Sequence, residues 1–183
     1  MQLIESMINK AKNNFSESGT LYLLWGIVIF ICSITQFTAL YFFQYKNIQY
    51  VWFLTWAVVI YQVIYLRRRE KTDKVKTYTA DILKYVWICF ASCMAVVIFI
   101  LIYQKAYPSI NPAILMLYGM PTFLSGVILK FKALVIGGIS CWLLAVGSVF
   151  VPYEFQLLFL SAAVLSAWII PGLLLRKKYK NSN

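Results

Sequence analysis

Six apolar stretches, each near 20 residues long and none with a charged residue deep inside it, leave this chain few ways to fold. They cover residues 21–43, 50–66, 82–103, 112–129, 133–151 and 155–175. A bilayer's hydrocarbon core takes about 20 helical residues to cross, and lipid offers no partner for backbone polar groups, so such runs must cross it as helices. The composition agrees: of 183 residues 62% are hydrophobic and 13% charged, where a soluble domain carries roughly 25% charged residues. The expected fold is therefore an all-α integral membrane protein. Its 183 residues form one domain, a bundle of six transmembrane helices, since no linker or soluble-length segment divides the chain.

The basic residues orient that bundle. Loops kept in the cytoplasm accumulate Lys and Arg, and an even number of spans puts both termini on one side. On that side fall Lys10, Lys12, Arg67, Arg68, Arg69, Lys71, Lys74, Lys76, Lys84, Lys130, Lys132, Arg176, Lys177, Lys178 and Lys180; only Lys46 and Lys105 fall on the other. Both termini are expected in the cytoplasm. The net charge of +11 then needs no nucleic acid; anionic lipid head groups are the natural partner of juxtamembrane basic clusters. The run Arg67, Arg68, Arg69, Lys71, Lys74 and Lys76 holds more positive charge than orientation requires, which makes it the candidate surface for lipid heads or an acidic protein partner.

The first 19 residues differ in kind. Leu3, Ile4, Met7, Ile8, Ala11 and Phe15 recur at helical spacing while Glu5, Lys10, Lys12, Asn13 and Asn14 fall on other faces. This pattern predicts a short amphipathic helix lying on the inner leaflet, or packing on a partner or second copy, broken at Ser16, Ser18, Gly19 and Thr20 before the first span. Residues 176–183 form a basic tail.

Catalytic chemistry finds little to work with. The chain has no histidine, which removes histidine general bases and histidine-ligated metal. Its acids, Glu5, Glu17, Glu70, Asp73, Asp81 and Glu154, all lie outside or at the edges of the spans, so no pair of carboxylates can share an intramembrane pocket. Ser125 and Gly126 have the look of an intramembrane serine protease pair but lack a base. Cys32, Cys89, Cys93 and Cys141 read as buried thiols; Cys89 and Cys93 share a helix face and could in principle hold a soft ion, but no cofactor and no metal is expected. An enzyme acting on lipid through Tyr78, Asp81 or Lys84 lacks a nucleophile and base that can be named.

Small and polar residues mark contacts and a candidate site. Gly137, Cys141 and Ala145 on the fifth span, Ala163 and Ala167 on the sixth, and Ala91 and Ala95 on the third recur every four residues, as in close helix packing. Packing is therefore expected to concentrate on spans three, five and six. Pro121, between Gly119 and Gly126, predicts a kink or unwound turn in span four, and Pro171 with Gly172 predicts the same near the end of span six. Gln36 and Gln62 need partners in lipid, as do the deep indoles of Trp142 and Trp168. With Tyr118, Gly119 and Pro121 they form the candidate cavity of a binding site, on the precedent that transporters place sites at broken helices. A three-plus-three inverted repeat, hinted at by LYLLWG at 21–26 and LMLYG at 115–119, would reinforce it.

LYLLWG at 21–26, after an amphipathic start with SESGT, and YGMPTFLSGVILKFKALVIGG at 118–138 resemble a family of small bacterial multi-pass inner-membrane proteins to which no activity is assigned. The resemblance runs over most of the chain and implies a bacterial inner-membrane location, with no functional residues to carry over. A chain of this kind is expected to be a non-enzymatic membrane subunit or scaffold with a basic cytoplasmic face, meeting a protein partner or a second copy of itself. The alternative is a small transporter or substrate-binding membrane component with its site beside the fourth span.

Overall fold

The computed structural model describes the backbone of residues 2–45, 48–72 and 78–180, with side chains described over 19–45, 48–68 and 81–177. Helix follows helix throughout: α1 (Gln2–Tyr41), a 3-10 turn (Ile48–Trp52) entering α2 (Phe53–Thr72), α3 (Tyr78–Tyr103), a second 3-10 turn (Tyr107–Ser109), α4 (Ile110–Ile128) and α5 (Lys132–Ser148). The last span is composite, α6 (Tyr153–Val164) passing through a π-helix (Leu165–Ile169) into α7 (Ile170–Lys180). Five segments are long and apolar enough to cross a membrane: Gly19–Tyr41, Ile48–Arg68, Asp81–Tyr103, Tyr107–Ile128 and Tyr153–Lys177. The expected fifth span, 133–151, is shorter than the sequence suggests. Helix α5 has 17 residues, a rise of about 26 Å against a hydrocarbon core of about 30 Å. It gives way to a turn at Val149 and Phe150, because Val151 precedes Pro152 and the residue before a proline is driven out of helical conformation.

The predicted break at residues 16–20 does not occur. α1 is one helix of 40 residues, so the amphipathic start and the first span share an axis rather than meeting at a corner. Gly19 is used for packing rather than for a bend. A Cβ on Gly19 would lie 3.0 Å from the Gly172 carbonyl oxygen, and one on Gly172 would lie 3.0 Å from that of Gly19, so the two backbones cross with nothing between them.

Pairs of contacting residues give the topology. Along α1 and the last span, Gly19 meets Gly172, Gly26 meets Ile169 and Ser33 meets Ser161, an antiparallel pairing over the whole span. α4 and α5 pair as Gly126 with Val135, Phe123 with Gly138 and Gly119 with Trp142, a tight antiparallel hairpin. α4 and the last span run parallel, with Asn111 beside Gln156 and Thr122 beside Trp168. Two ends follow: a near end, where Gly19, Lys130 and Gly172 lie, and a far end carrying the loops 104–109 and 149–152.

The core lies among α1, α4, α5 and the last span. Ile29, Leu115, Leu134, Cys141, Leu157, Leu160, Ala163 and Ala167 are all buried there. The small-residue ridges on the fifth and sixth spans are in place: Gly137, Cys141, Ala145, Ala163 and Ala167 are buried, and a Cβ on Gly137 would fall 2.7 Å from the Ala167 Cα. The third ridge is not. Ala91 and Ala95 are exposed, and none of the described residues of α2 or α3 is buried. The packing centre is therefore spans one, four, five and six instead of three, five and six. α3 instead offers the bundle larger side chains, Leu83, Trp87, Phe90 and Met94, at their helical spacing.

Two helices end in the same unusual turn. Lys105 and Lys130 take positive φ (57° and 50°), and the bonds from Ala106 N to Leu101 O and from Phe131 N to Gly126 O complete the six-to-one closure of a Schellman turn. Glycine usually fills this position.

Candidate functional site

The seven residues expected at a ligand site or cavity do not gather in one place. Each is engaged by a neighbour, and they fall into three places.

Gln62 and Gln36 belong to a clasp between α1 and α2. Trp25 Nε1 on α1 donates to Gln62 Oε1 on α2, and Trp52 Nε1, at the entry to α2, donates to Gln36 Oε1 on α1 at 2.6 Å. The two bonds are reciprocal, each helix giving one indole and receiving one. They lie toward opposite ends of the same antiparallel pair. The predicted need of an amide in lipid for a partner is met, and the partner is tryptophan. Thr55, Val58, Gln62 and Tyr65 are the half-buried residues along α2, a single narrow stripe at three-to-four spacing, while Leu54, Trp56, Val59, Ile60, Tyr61, Val63 and Ile64 around it are exposed.

Trp142, Gly119 and Pro121 belong to the α4–α5 hairpin. The Trp142 indole covers Gly119, where any Cβ would overlap it, meets the Phe123 ring at 5.3 Å with the planes tilted by 36° and donates from Nε1 to the Met116 carbonyl at 3.2 Å. Pro121 is buried inside α4, which stays helical from 110 to 128, so the unwound turn expected there is absent. The disturbance appears in the last span, where Pro171 was the signal. Pro171 has no N–H to give Ala167 O and its ring would crowd that carbonyl. The preceding residues widen into the π-helix Leu165–Ile169, and Ile170 N bonds Leu165 O.

Trp168 and Tyr118 belong to an aromatic cluster at the π-helix. Trp168 is 2% exposed, its ring centroid 4.6 Å from Tyr118 and 6.1 Å from Trp87. Phe90 lies 5.8 Å from Tyr118, and Tyr22 meets Trp87 edge-on at 5.7 Å. The rings join α1, α3, α4 and the last span. Trp168 Nε1 donates to Thr122 Oγ1 at 2.9 Å, and Thr122 Oγ1 in turn donates to Tyr118 O at 2.7 Å. Within this cluster the buried Ser125 Oγ lies beside the Tyr22 hydroxyl without a hydrogen bond of ordinary geometry. Further hydroxyl pairs, Ser33 with Ser161 at 2.7 Å and Ser140 with Ser166 at 2.9 Å, tie α1 and α5 to the last span. That span is the hub of the bundle, bonded to three others by side chains worth roughly 0.6 kcal/mol each.

Sequence reasoning missed the far end. An open cleft of about 500 Å³ lies there between two loops, walled by Pro108, Pro112, Pro152, Val149 and Val151, with Ser109, Tyr153 and Gln156 as its polar lining. Its signal was the concentration of prolines at 108, 112 and 152, since proline both ends helices and leaves loop surface unfilled.

At the near end the candidate basic surface is partly described. α2 continues as helix to Thr72, so Arg67, Arg68, Arg69 and Lys71 are carried on its last turns, and Arg67 and Arg68 are exposed. Lys74 and Lys76 lie outside the described residues. Among the described residues no group of three or more Cys, Asp and Glu could hold a metal ion; Cys89 and Cys93 are exposed side by side on α3, contrary to the expectation of buried thiols, while Cys32 and Cys141 are buried.

No protein-family model, no curated protein and no solved structure matches this chain.

Proposed function

We propose that this chain is a non-enzymatic subunit or scaffold of the bacterial inner membrane, with both termini cytoplasmic, that receives a partner's transmembrane helix along α2 and α3. One observation carries the reading: α2 rests on the bundle by a single stripe and two indole–amide bonds, and α2 and α3 share no packed face among the described residues. The other four spans already form a closed core. The two remaining helices stand at its edge with none of their described residues buried, α3 giving the core only its Leu83, Trp87, Phe90 and Met94 face, which suits a surface meant for another chain. The basic last turns of α2, Arg67 to Lys71, extend this surface into the head-group region, where anionic lipid or an acidic partner would meet it.

Photocrosslinking in native membranes tests this. A photoreactive residue at Ile60 on α2 or Phe99 on α3 should capture one defined protein band, whereas one at Leu143 on the exposed face of α5 should capture lipid. All three side chains are exposed, so reach does not bias the result. Equal labelling at the three positions, with no discrete band from α2 or α3, would overturn the proposal. The transporter reading draws its support from the far-end cleft, because Gln36, Gln62, Trp142 and Trp168 already have hydrogen-bond partners within the bundle.

A further inference from the structure

We infer that the far-end cleft binds an uncharged molecule, or the head of one, that bears hydroxyl or amide groups on an apolar body. The inference is independent of the helix-docking proposal. It begins with three primary amides gathered under the cleft. Asn111, Gln156 and Gln36 are 5%, 3% and 5% exposed, so water does not satisfy them. Their N–H bonds are nevertheless all long: Asn111 Nδ2 to Gln156 Oε1, Gln156 Nε2 to Val151 O and Gln36 Nε2 to the Tyr153 hydroxyl are each 3.4 Å. A well-made N–H···O bond is near 2.9 Å. In the hub the corresponding side-chain bonds are 2.7 to 2.9 Å. Buried polar groups are costly unless well bonded, and the cost is concentrated where this cleft opens.

Two of the groups concerned line that cleft. Gln156 presents an amide, with a donor and an acceptor each held weakly, and Tyr153 a hydroxyl that accepts from Gln36. A ligand group carrying both a donor and an acceptor can exchange with these stretched bonds. Gln36 then links the cleft to the α1–α2 clasp through Trp52. The chemistry of the rest is set by the walls. Among the described residues no charged side chain lines the cleft, so an ionic group would meet no counter-charge from them, whereas three prolines and two valines offer apolar surface to a carbon skeleton. A neutral lipid head and a neutral aqueous solute present the same chemistry, and the test separates them.

The full chain, labelled with 3-fluorotyrosine and held in lipid nanodiscs, is titrated with 1,2-dioctanoylglycerol, glycerol and dioctanoyl phosphatidic acid. The Tyr153 fluorine resonance is assigned by its loss in Tyr153→Phe. Dioctanoylglycerol is expected to shift it saturably, phosphatidic acid to leave it in place, and Val149→Trp, which fills the cleft from an exposed rim position, to raise the half-saturation concentration at least tenfold. A saturable shift with glycerol alone supports the site and assigns it to an aqueous solute. Unchanged resonances elsewhere show that Val149→Trp remains folded, and Gln156→Leu supplies an independent loss of the amide. The inference is overturned if neither neutral probe shifts Tyr153, if phosphatidic acid does so at the same concentration, or if Val149→Trp binds as well as the parent.

Discussion

The α1–α2 and α4–α5 hairpins occupy corresponding places in the two halves of the chain, yet they are held by opposite means. In α4–α5, Gly119, Gly126 and Gly138 let the helices meet at backbone distance, and a Cβ on Gly138 would fall 2.7 to 2.9 Å from Phe123 atoms. In α1–α2 there is no such approach. Large side chains meet between them, with Cys32 Sγ reaching the Val51 carbonyl at the far end, and the reciprocal bonds of Trp25 with Gln62 and Trp52 with Gln36 hold the helices in register. Lipid is as apolar as leucine, so helices in a membrane associate through close packing or through polar bonds. One hairpin uses the first and the other the second. Close packing is spread over many atoms and fixes one geometry, while two hydrogen bonds can be surrendered singly. The contrast also argues against treating the halves as structural repeats.

The comparison breaks first at the glycines. Gly138→Ala should cost about 1–3 kcal/mol, because Phe123 backbone as well as side chain must move, and reversible unfolding in mixed micelles should register it as global destabilisation. The polar hairpin should respond less and locally. Trp25→Phe combined with Gln62→Leu in a double-mutant cycle should reveal a coupling of about 0.6–1.7 kcal/mol. Hydrogen exchange should rise along α2 while α4 and α5 stay protected; a global loss would mean α2 belongs to the core. Lys130→Gly should stabilise the α4–α5 turn by roughly 0.5–1 kcal/mol, since φ of 50° suits glycine, measured as a raised unfolding midpoint. Smallest is Ser125→Ala. With no well-formed bond to lose, it should change stability by less than about 0.5 kcal/mol; a larger loss would show that its hydroxyl is bonded to Tyr22.

Much of the bundle could be read from residue order. Helix number, span positions to within a few residues and the ridges on spans five and six depend on local hydrophobicity and on spacing along one helix, both present in the chain itself. Trp142 and Trp168 were identifiable as indoles in need of partners, and they have them in Met116 O and Thr122 Oγ1. What residue order could not settle was which of the small-residue ridges would find a neighbouring helix. Ala91 and Ala95 carry the same spacing as Ala163 and Ala167, yet one pair is exposed and the other buried, because a small ridge is useful only if a neighbour reaches it. Pro121 and Pro171 look alike in sequence. α4 keeps its helix around Pro121, whereas the last span relaxes into a π-helix before Pro171.

By itself, then, the chain determined that it must be helical and apolar enough to cross a membrane, since long apolar runs have no other way to satisfy their backbone in lipid, and its basic residues set the expected orientation. Tertiary structure alone decided that the first span joins the core while the third stands outside it, that Gln36 and Gln62 answer to tryptophans far along the chain, and that the open cleft lies at the end away from the termini. The physical reason is the same in each case. Solvent preference is a property of each residue and adds up along the sequence, whereas close packing and the partnering of buried polar groups are properties of pairs, which exist only once the helices have met.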